Sequence, residues 1–110
     1  IDSTRVSHLE RQIDKANNNI IMRHISRSLR YFYDEEYREA LREIDKAIEI
    51  NPNIALAYAR RGSIYYRLGD FQRATMNWNI ALKLDPEFTE IQDLLHASKD
   101  NRLSATEMKN

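Results

Sequence analysis

Residues 55–88, ALAYARRGSIYYRLGDFQRATMNWNIALKLDPEF, decide the fold of this chain. They predict two amphipathic helices, over residues 55–68 and 71–84, because apolar residues recur every three or four positions in both halves. Gly69 lies between the halves and favours a tight turn, since glycine adopts a positive φ without steric cost. Pro86 ends the second helix, because proline lacks an N–H group and disfavours helix in the preceding residue. The stretch therefore predicts one helix-turn-helix unit.

A weaker copy of this unit precedes it, at a distance of about 34 residues along the chain. The matched positions carry aromatic, small or proline side chains: Tyr31 with Tyr65, Tyr37 with Phe71, Ala40 with Ala74, Ile44 with Trp78, Ala47 with Ala81, and Pro52 with Pro86. Ser28 and Gly62 match in the first helix of each copy, where small residues let two helices approach closely. A repeat of this period indicates an all-α solenoid of stacked helix pairs, in which we expect Trp78 to be buried.

The second copy resembles the tetratricopeptide repeat (TPR) family. The matching residues are Tyr58, Gly62, Tyr65, Gly69, Phe71, Ala74, Trp78, Ala81 and Pro86. The first copy resembles the family less closely, because His24 stands where a large aromatic residue is usual and Glu35 where the turn glycine is usual. The resemblance implies an antiparallel helix-pair solenoid whose first helices line a concave groove. It also implies a non-enzymatic module that binds a peptide or amphipathic helix of a protein partner within a larger assembly.

The sequence divides into five segments. We expect an N-terminal helix over residues 1–20, capped at Asp2 or Ser3 and continuous with the first repeat. The first repeat occupies residues 21–54 and the second residues 55–88. A capping helix follows over residues 89–100, because stacked repeats leave an apolar face open at each end. Residues 101–110 have no periodicity and are expected to be a frayed tail.

The N-terminal helix carries an apolar stripe at heptad-like spacing. Its members are Val6, Leu9, Ile13, Ala16 and Ile20. The stripe covers about two and a half heptads, which is short for a coiled coil. Three interpretations stay open: the segment packs on the first repeat of its own chain, it forms a coiled-coil or swapped contact with a second copy, or it is disordered. The groove itself could be filled by this helix or by that of a second copy. The contact with a second copy would make the chain a structural element that self-associates.

Helical spacing selects the residues expected to face the groove that the resemblance implies. They are Met22, Ile25, Leu29, Phe32, Tyr33, Leu56, Ser63, Tyr66 and Arg67. This predicted surface is largely apolar and aromatic with a charged rim, which is typical of a site for a partner helix. Some members of the family grip a C-terminal carboxylate through basic groove residues. Here Ile25 and Leu29 hold the corresponding places, so we do not expect that mode of binding.

Composition excludes several other functions. The formal net charge is zero, which gives no support to binding of nucleic acid or of a membrane surface. There is no apolar run long enough to span a membrane and no cysteine. His8, His24 and His96 lack the spacing of metal ligands, and no nucleophile–base arrangement or phosphate loop is present, so we predict neither an enzyme nor a cofactor. The chain begins with Ile1, which indicates a processed or partial chain, and its compartment is not predicted.

Arg61 lies beside Gly62 in the predicted first helix of the second repeat, and its role has two interpretations. It is either solvated or paired with an acidic residue of the preceding helix, Asp45 or Glu49. Both roles are structural, and arginine suits a partly buried ion pair because its planar guanidinium presents several donors.

Overall fold

The computed structural model describes residues 3–99, and that part of the chain forms five helices. They are α1 (Ser3–Tyr33), α2 (Tyr37–Ile50), α3 (Ala55–Arg67), α4 (Phe71–Leu84) and α5 (Thr89–Lys99). The predicted all-α fold is confirmed. Ser3 is the first residue of α1, while the alternative cap at Asp2 and the expected tail at residues 101–110 lie outside what the structure describes.

The helices form two layers. Helices α1 and α3 are neighbours in one layer, while α2 and α4 pack behind them in the other. Helix α5 packs on α4 and extends the first layer, where the carboxylate of Glu90 lies 3.6 Å from the guanidinium of Arg60 in α3. Two core clusters fill the space between the layers. The first contains Ile21, Ile25, Ala40, Ile44, Ala47, Ala57 and Ile64, and the second contains Tyr58, Ala59, Ala74, Trp78, Ala81, Ile91 and Leu95.

Trp78 is fully buried, as the sequence predicts, and its indole N–H donates to the carbonyl oxygen of Ala59 at 3.2 Å. The ring lies directly against Gly62. A methyl group on Gly62 would overlap the indole and lie 3.0 Å from the carbonyl oxygen of Ala74. The matching residue of the first repeat, Ser28, is also buried, and its hydroxyl donates to the carbonyl oxygen of Ala40 at 3.0 Å. Small residues therefore set the close approach of the two helices in each repeat.

The two hairpin turns have the same hydrogen-bond pattern. After α1, the N–H groups of Glu35 and Glu36 donate to carbonyl oxygens of the last helical turn, at 3.0 and 2.9 Å. Gly69 and Asp70 repeat both bonds after α3, at 3.0 and 2.9 Å. This is the Schellman motif, which needs one residue in the left-handed region. Gly69 takes φ 83° and Glu35 takes φ 61°, so the first turn holds a glutamate in a conformation that favours glycine.

Helix α1 extends well beyond its partner. It has 31 residues, whereas α2 has 14, so α2 covers only the C-terminal half of α1. Every residue from Thr4 to Ile20 is exposed. The interpretation that this segment packs on the repeats or fills their groove is therefore wrong. None of the helices within residues 3–99 combines the length and apolar character needed to cross a membrane.

Candidate functional site

The predicted groove residues lie on the first layer, on the C-terminal half of α1 and on α3. Met22 and Tyr33 are exposed, at 50% and 74% of their surface. Leu29, Leu56 and Ser63 are half-buried between them, and the Ser63 hydroxyl is turned back to the carbonyl oxygen of Ala59 at 3.3 Å. We use the name groove face for the following set: Met22, Leu29, Tyr33, Leu56, Ser63 and Tyr66.

Ile25 is not part of this surface. Its side chain is only 4% exposed and belongs to the first core cluster. The cause is the direction of α1, which packs on the remaining helices through Ile21, Ile25 and Ser28, at spacings of four and three residues. The assignment of Ile25 to the ligand-facing side is corrected accordingly.

Phe32 and Arg67 join the two repeats at the turn end of the first layer. The Arg67 guanidinium lies over the rings of Phe32 and Tyr37, at 5.7 and 5.3 Å from their centres. It also lies 3.7 Å from a carboxylate oxygen of Glu35, and only 13% of its side chain is exposed. Arg67 is thus held between the repeats by stacking and charge, and Phe32 packs against the first core cluster.

Tyr66 connects the groove face to the second core cluster. Its ring stacks on Trp78 with centres 5.6 Å apart, and it meets Phe71 at 4.7 Å. Phe71 is itself 56% exposed, and the nearby Leu68 is 43% exposed. The apolar surface therefore continues onto the second turn. This extension was not predicted from the sequence, because Phe71 matches an aromatic position of the repeat and was expected in the core.

The charges on α1 are of one sign along this surface. Residues 20–33 contain no aspartate or glutamate. Arg23, Arg27 and Arg30 are exposed there, and none of them has an ion-pair partner among residues 3–99. The outer edge of the groove face is therefore positively charged.

Arg61 is engaged within the fold. One guanidinium nitrogen lies 3.1 Å from a carboxylate oxygen of Asp45, and Nε donates to the side-chain oxygen of Asn77 at 2.8 Å. The guanidinium also lies over the Tyr58 ring, 5.3 Å from its centre. The interpretation of Arg61 as a structural ion pair is confirmed, and it leaves Arg61 unavailable to a ligand.

His24 and Asp70 have structural partners within the fold. His24 and Glu43 approach to 2.7 Å between α1 and α2. Asp70 caps α4 by accepting the N–H of Arg73 at 3.1 Å, and that bond together with the Arg73 side chain lowers the pKa of the Asp70 carboxyl. Within residues 3–99, no three histidine, cysteine or acidic side chains are grouped so that they could hold a metal ion.

An open cavity lies away from the groove face, between α4 and α5, with a volume of about 260 Å³. Its lining mixes apolar and polar side chains: Asn79, Leu82, Gln92, Leu95, His96 and Lys99. This cavity marks the C-terminal end of the stack, where α5 covers α4 incompletely.

Two antiparallel helix pairs, repeated in sequence and stacked in two layers, define a helical-repeat protein. Residues 43–75, which run from α2 through the second turn into α4, match the family model described as tetratricopeptide repeat. This part of the chain therefore carries a tetratricopeptide repeat.

Several curated proteins share this repeat region. A TPR repeat-containing protein of Methanocaldococcus jannaschii is 47% identical over 53 residues, 48% of this chain and 9% of that protein. Hsp70-Hsp90 organizing protein 3 of Arabidopsis thaliana is 33% identical over 54% of this chain and 11% of its own length. A UDP-N-acetylglucosamine–peptide N-acetylglucosaminyltransferase of Giardia intestinalis is 37% identical over 49% of this chain, which is 4% of the enzyme. The chain thus spans about a tenth or less of each of these relatives, and the likeness is one of repeats, which are generally non-catalytic interaction modules.

Proposed function

We propose that this chain is a non-enzymatic protein-binding module, whose groove face receives an amphipathic helix or a short peptide of a partner protein. The observation that carries the proposal is the exposure of large apolar side chains on the first layer, above all Met22 and Tyr33. These side chains contribute little to the core. Exposed apolar surface of this kind marks interaction sites, and an amphipathic helix can cover it.

The chemistry of the ligand follows from the neighbouring side chains. Its central residues would be apolar or aromatic, so that they pack against Leu29, Leu56 and Tyr66. Its flank on the α1 side would carry acidic residues, because Arg23 and Arg30 offer positive charge with no ion-pair partner among the described residues. Rim charges of this type raise the association rate and select partners more than they add affinity.

Binding through a terminal carboxylate is not favoured. Such a ligand needs cationic groups projecting from the centre of the groove. Ile25 is buried, Leu29 is apolar, and the Arg67 guanidinium is already held by two rings and by Glu35. The name of the Arabidopsis thaliana relative mentions Hsp70 and Hsp90, which concerns that protein and not this chain.

The test compares alanine truncations of exposed apolar side chains on the two layers. Met22→Ala/Tyr33→Ala removes the most exposed apolar groups of the groove face, and both side chains lie outside the core. Met76→Ala is the control, because Met76 is 56% exposed on α4, in the other layer. Circular dichroism establishes that all variants keep the helical fold.

A partner protein is first captured from an extract of the source cells with the unaltered chain. We expect the groove variant to lose affinity for it by about tenfold or more, since exposed anchors of this size each contribute about 1 kcal/mol or more on binding. The Met76→Ala protein should bind as the unaltered chain does. Equal binding by all three proteins would place the partner site elsewhere and remove the proposal.

A further inference from the structure

The exposed segment of α1 has an apolar stripe that no other helix within residues 3–99 covers. Val6, Leu9, Ile13 and Ile20 are exposed at 40%, 48%, 60% and 39% of their surface, and Ala16 is exposed between them. The residues fall on one side of a helix that runs past the end of α2. The stripe is thus an apolar surface open to a partner.

We propose that residues 5–20 of α1 pair with the same segment of a second copy, in a parallel, in-register, two-stranded coiled coil. In heptad notation Val6, Ile13 and Ile20 occupy the a positions, while Leu9 and Ala16 occupy the d positions. β-Branched residues at a with leucine at d favour two parallel strands over higher oligomers. This inference is independent of the groove proposal, because it uses a different part of α1.

Charge complementarity selects the orientation. In a parallel pair, the g residue of one helix meets the e residue of the next heptad in its partner. Here g is Arg5 and the following e is Glu10, so two opposite-charge pairs form across the interface. In an antiparallel pair that sets Leu9 against Ile13, the two Glu10 side chains would face each other. Like charges so placed are unfavourable, and the parallel arrangement is preferred.

The sequence also indicates where the coiled coil ends. The next d and a positions are Arg23 and Arg27, both exposed. Two arginines facing two arginines along the axis would repel each other, so the helices diverge after Ile20. The coil therefore stops where α2 begins to cover α1, and each copy keeps its own repeat pair. The dimer carries two groove faces.

The first experiment uses the absence of cysteine from the chain. In a parallel in-register coil, the Leu9→Cys thiols of two copies face each other at a distance that a disulfide can bridge, with Cα atoms roughly 4–7 Å apart. Arg11→Cys is the control, because position 11 lies on the opposite side of the same helix. We expect mild oxidation of the full chain to give mostly covalent dimer with Leu9→Cys and little with Arg11→Cys.

The second experiment exchanges charges across the proposed interface. Light scattering on the unaltered chain should show a mass rising from 13.1 kDa toward twice that value with concentration. The range must reach about 1 mM, because a coil of little more than two heptads associates weakly. Arg5→Glu and Glu10→Arg should each reduce dimerisation by about tenfold, while a mixture of the two variants should regain it. Arg11→Glu, the matched control, should leave it unchanged.

Three results would overturn the proposal. The first is a monomeric mass across the whole range together with equal cross-linking of Leu9→Cys and Arg11→Cys. The second is a disulfide that forms only between Leu9→Cys and Ile13→Cys proteins, which would mean an antiparallel pair. The third is a different protein that covers the stripe and is lost on Ile13→Asp, while the chain itself stays monomeric.

Discussion

Gly62→Ala adds one methyl group at the tightest helix contact of the second repeat. The new carbon would overlap the Trp78 indole and lie 3.0 Å from the carbonyl oxygen of Ala74. Neither neighbour can move freely, since Trp78 is fully buried and the carbonyl oxygen belongs to the α4 backbone. Overpacking of this kind costs about 1–3 kcal/mol, and the position is at the upper end because both obstacles are rigid.

Helix propensity works in the opposite direction. Alanine is better than glycine inside a helix by about 1 kcal/mol, so the net loss of unfolding free energy should be about 2 kcal/mol. For a domain of this size, that corresponds to a fall in melting temperature of about 8–16 °C. Urea unfolding measures the loss through circular dichroism and through the fluorescence of Trp78, the only tryptophan in the chain.

Two further variants test whether the loss arises at the indole. Ser63→Ala changes the neighbouring, half-buried residue of α3 and should alter stability by less than about 0.5 kcal/mol. In a Trp78→Leu background the indole is gone, so Gly62→Ala should lose most of its cost or become stabilising. A Gly62→Ala protein as stable as the unaltered chain would refute the packing described for the second repeat.

The remaining predictions concern the turns and one buried hydroxyl. Glu35→Gly should raise the unfolding free energy by about 0.5 kcal/mol, because glycine adopts the left-handed φ of position 35 without strain. Gly69→Ala should lower the unfolding free energy by about 1 kcal/mol in the same urea assay, because alanine is strained at the positive φ of position 69. Equal effects of the two substitutions would contradict the turn assignment. Tyr37→Phe should stabilise by up to about 1 kcal/mol, since the Tyr37 hydroxyl is buried without a hydrogen-bond partner among the described residues, and a loss of stability would reveal a partner. The Asp70 carboxyl has a lowered pKa in the folded chain. It therefore stabilises the fold at pH values above its pKa in the unfolded chain, about 3.9, and this stabilisation is lost as the pH falls through its pKa in the folded chain. Asp70→Asn should therefore be less stable than the unaltered chain near neutral pH and equal to it in strong acid, and a difference that persists in acid would contradict this.

The second repeat was predictable because its key positions each admit one structural role. The helices approach closely because Gly62 leaves room for the Trp78 indole. The turn between them uses the positive φ of Gly69. The first repeat lacks the turn glycine, yet Glu35 adopts the same turn, since the Schellman hydrogen bonds and the packing of α1 on α2 outweigh the strain of its φ.

Two features could not be derived from periodicity. Ile25 lies on the boundary between two faces of α1, and only the direction in which α1 crosses its neighbours decides that it is buried. The apolar stripe that includes Leu9 and Ile13 predicts a packing surface. Its periodicity is the same whether the packing partner is another helix of the chain or a second molecule. The length of α2 decides this, because a helix of 14 residues cannot cover one of 31.

The most direct test of the proposed function is site-specific photo-crosslinking in an extract of the source cells. A benzophenone amino acid is placed at Tyr33, on the groove face, and in a second protein at Met76, on the other layer. We expect a protein adduct at position 33, formed through an apolar helical or peptide segment with acidic residues beside it, and no such adduct at position 76. Adducts of the same partner at both positions, or at position 76 alone, would contradict the assignment of the groove face as the binding site.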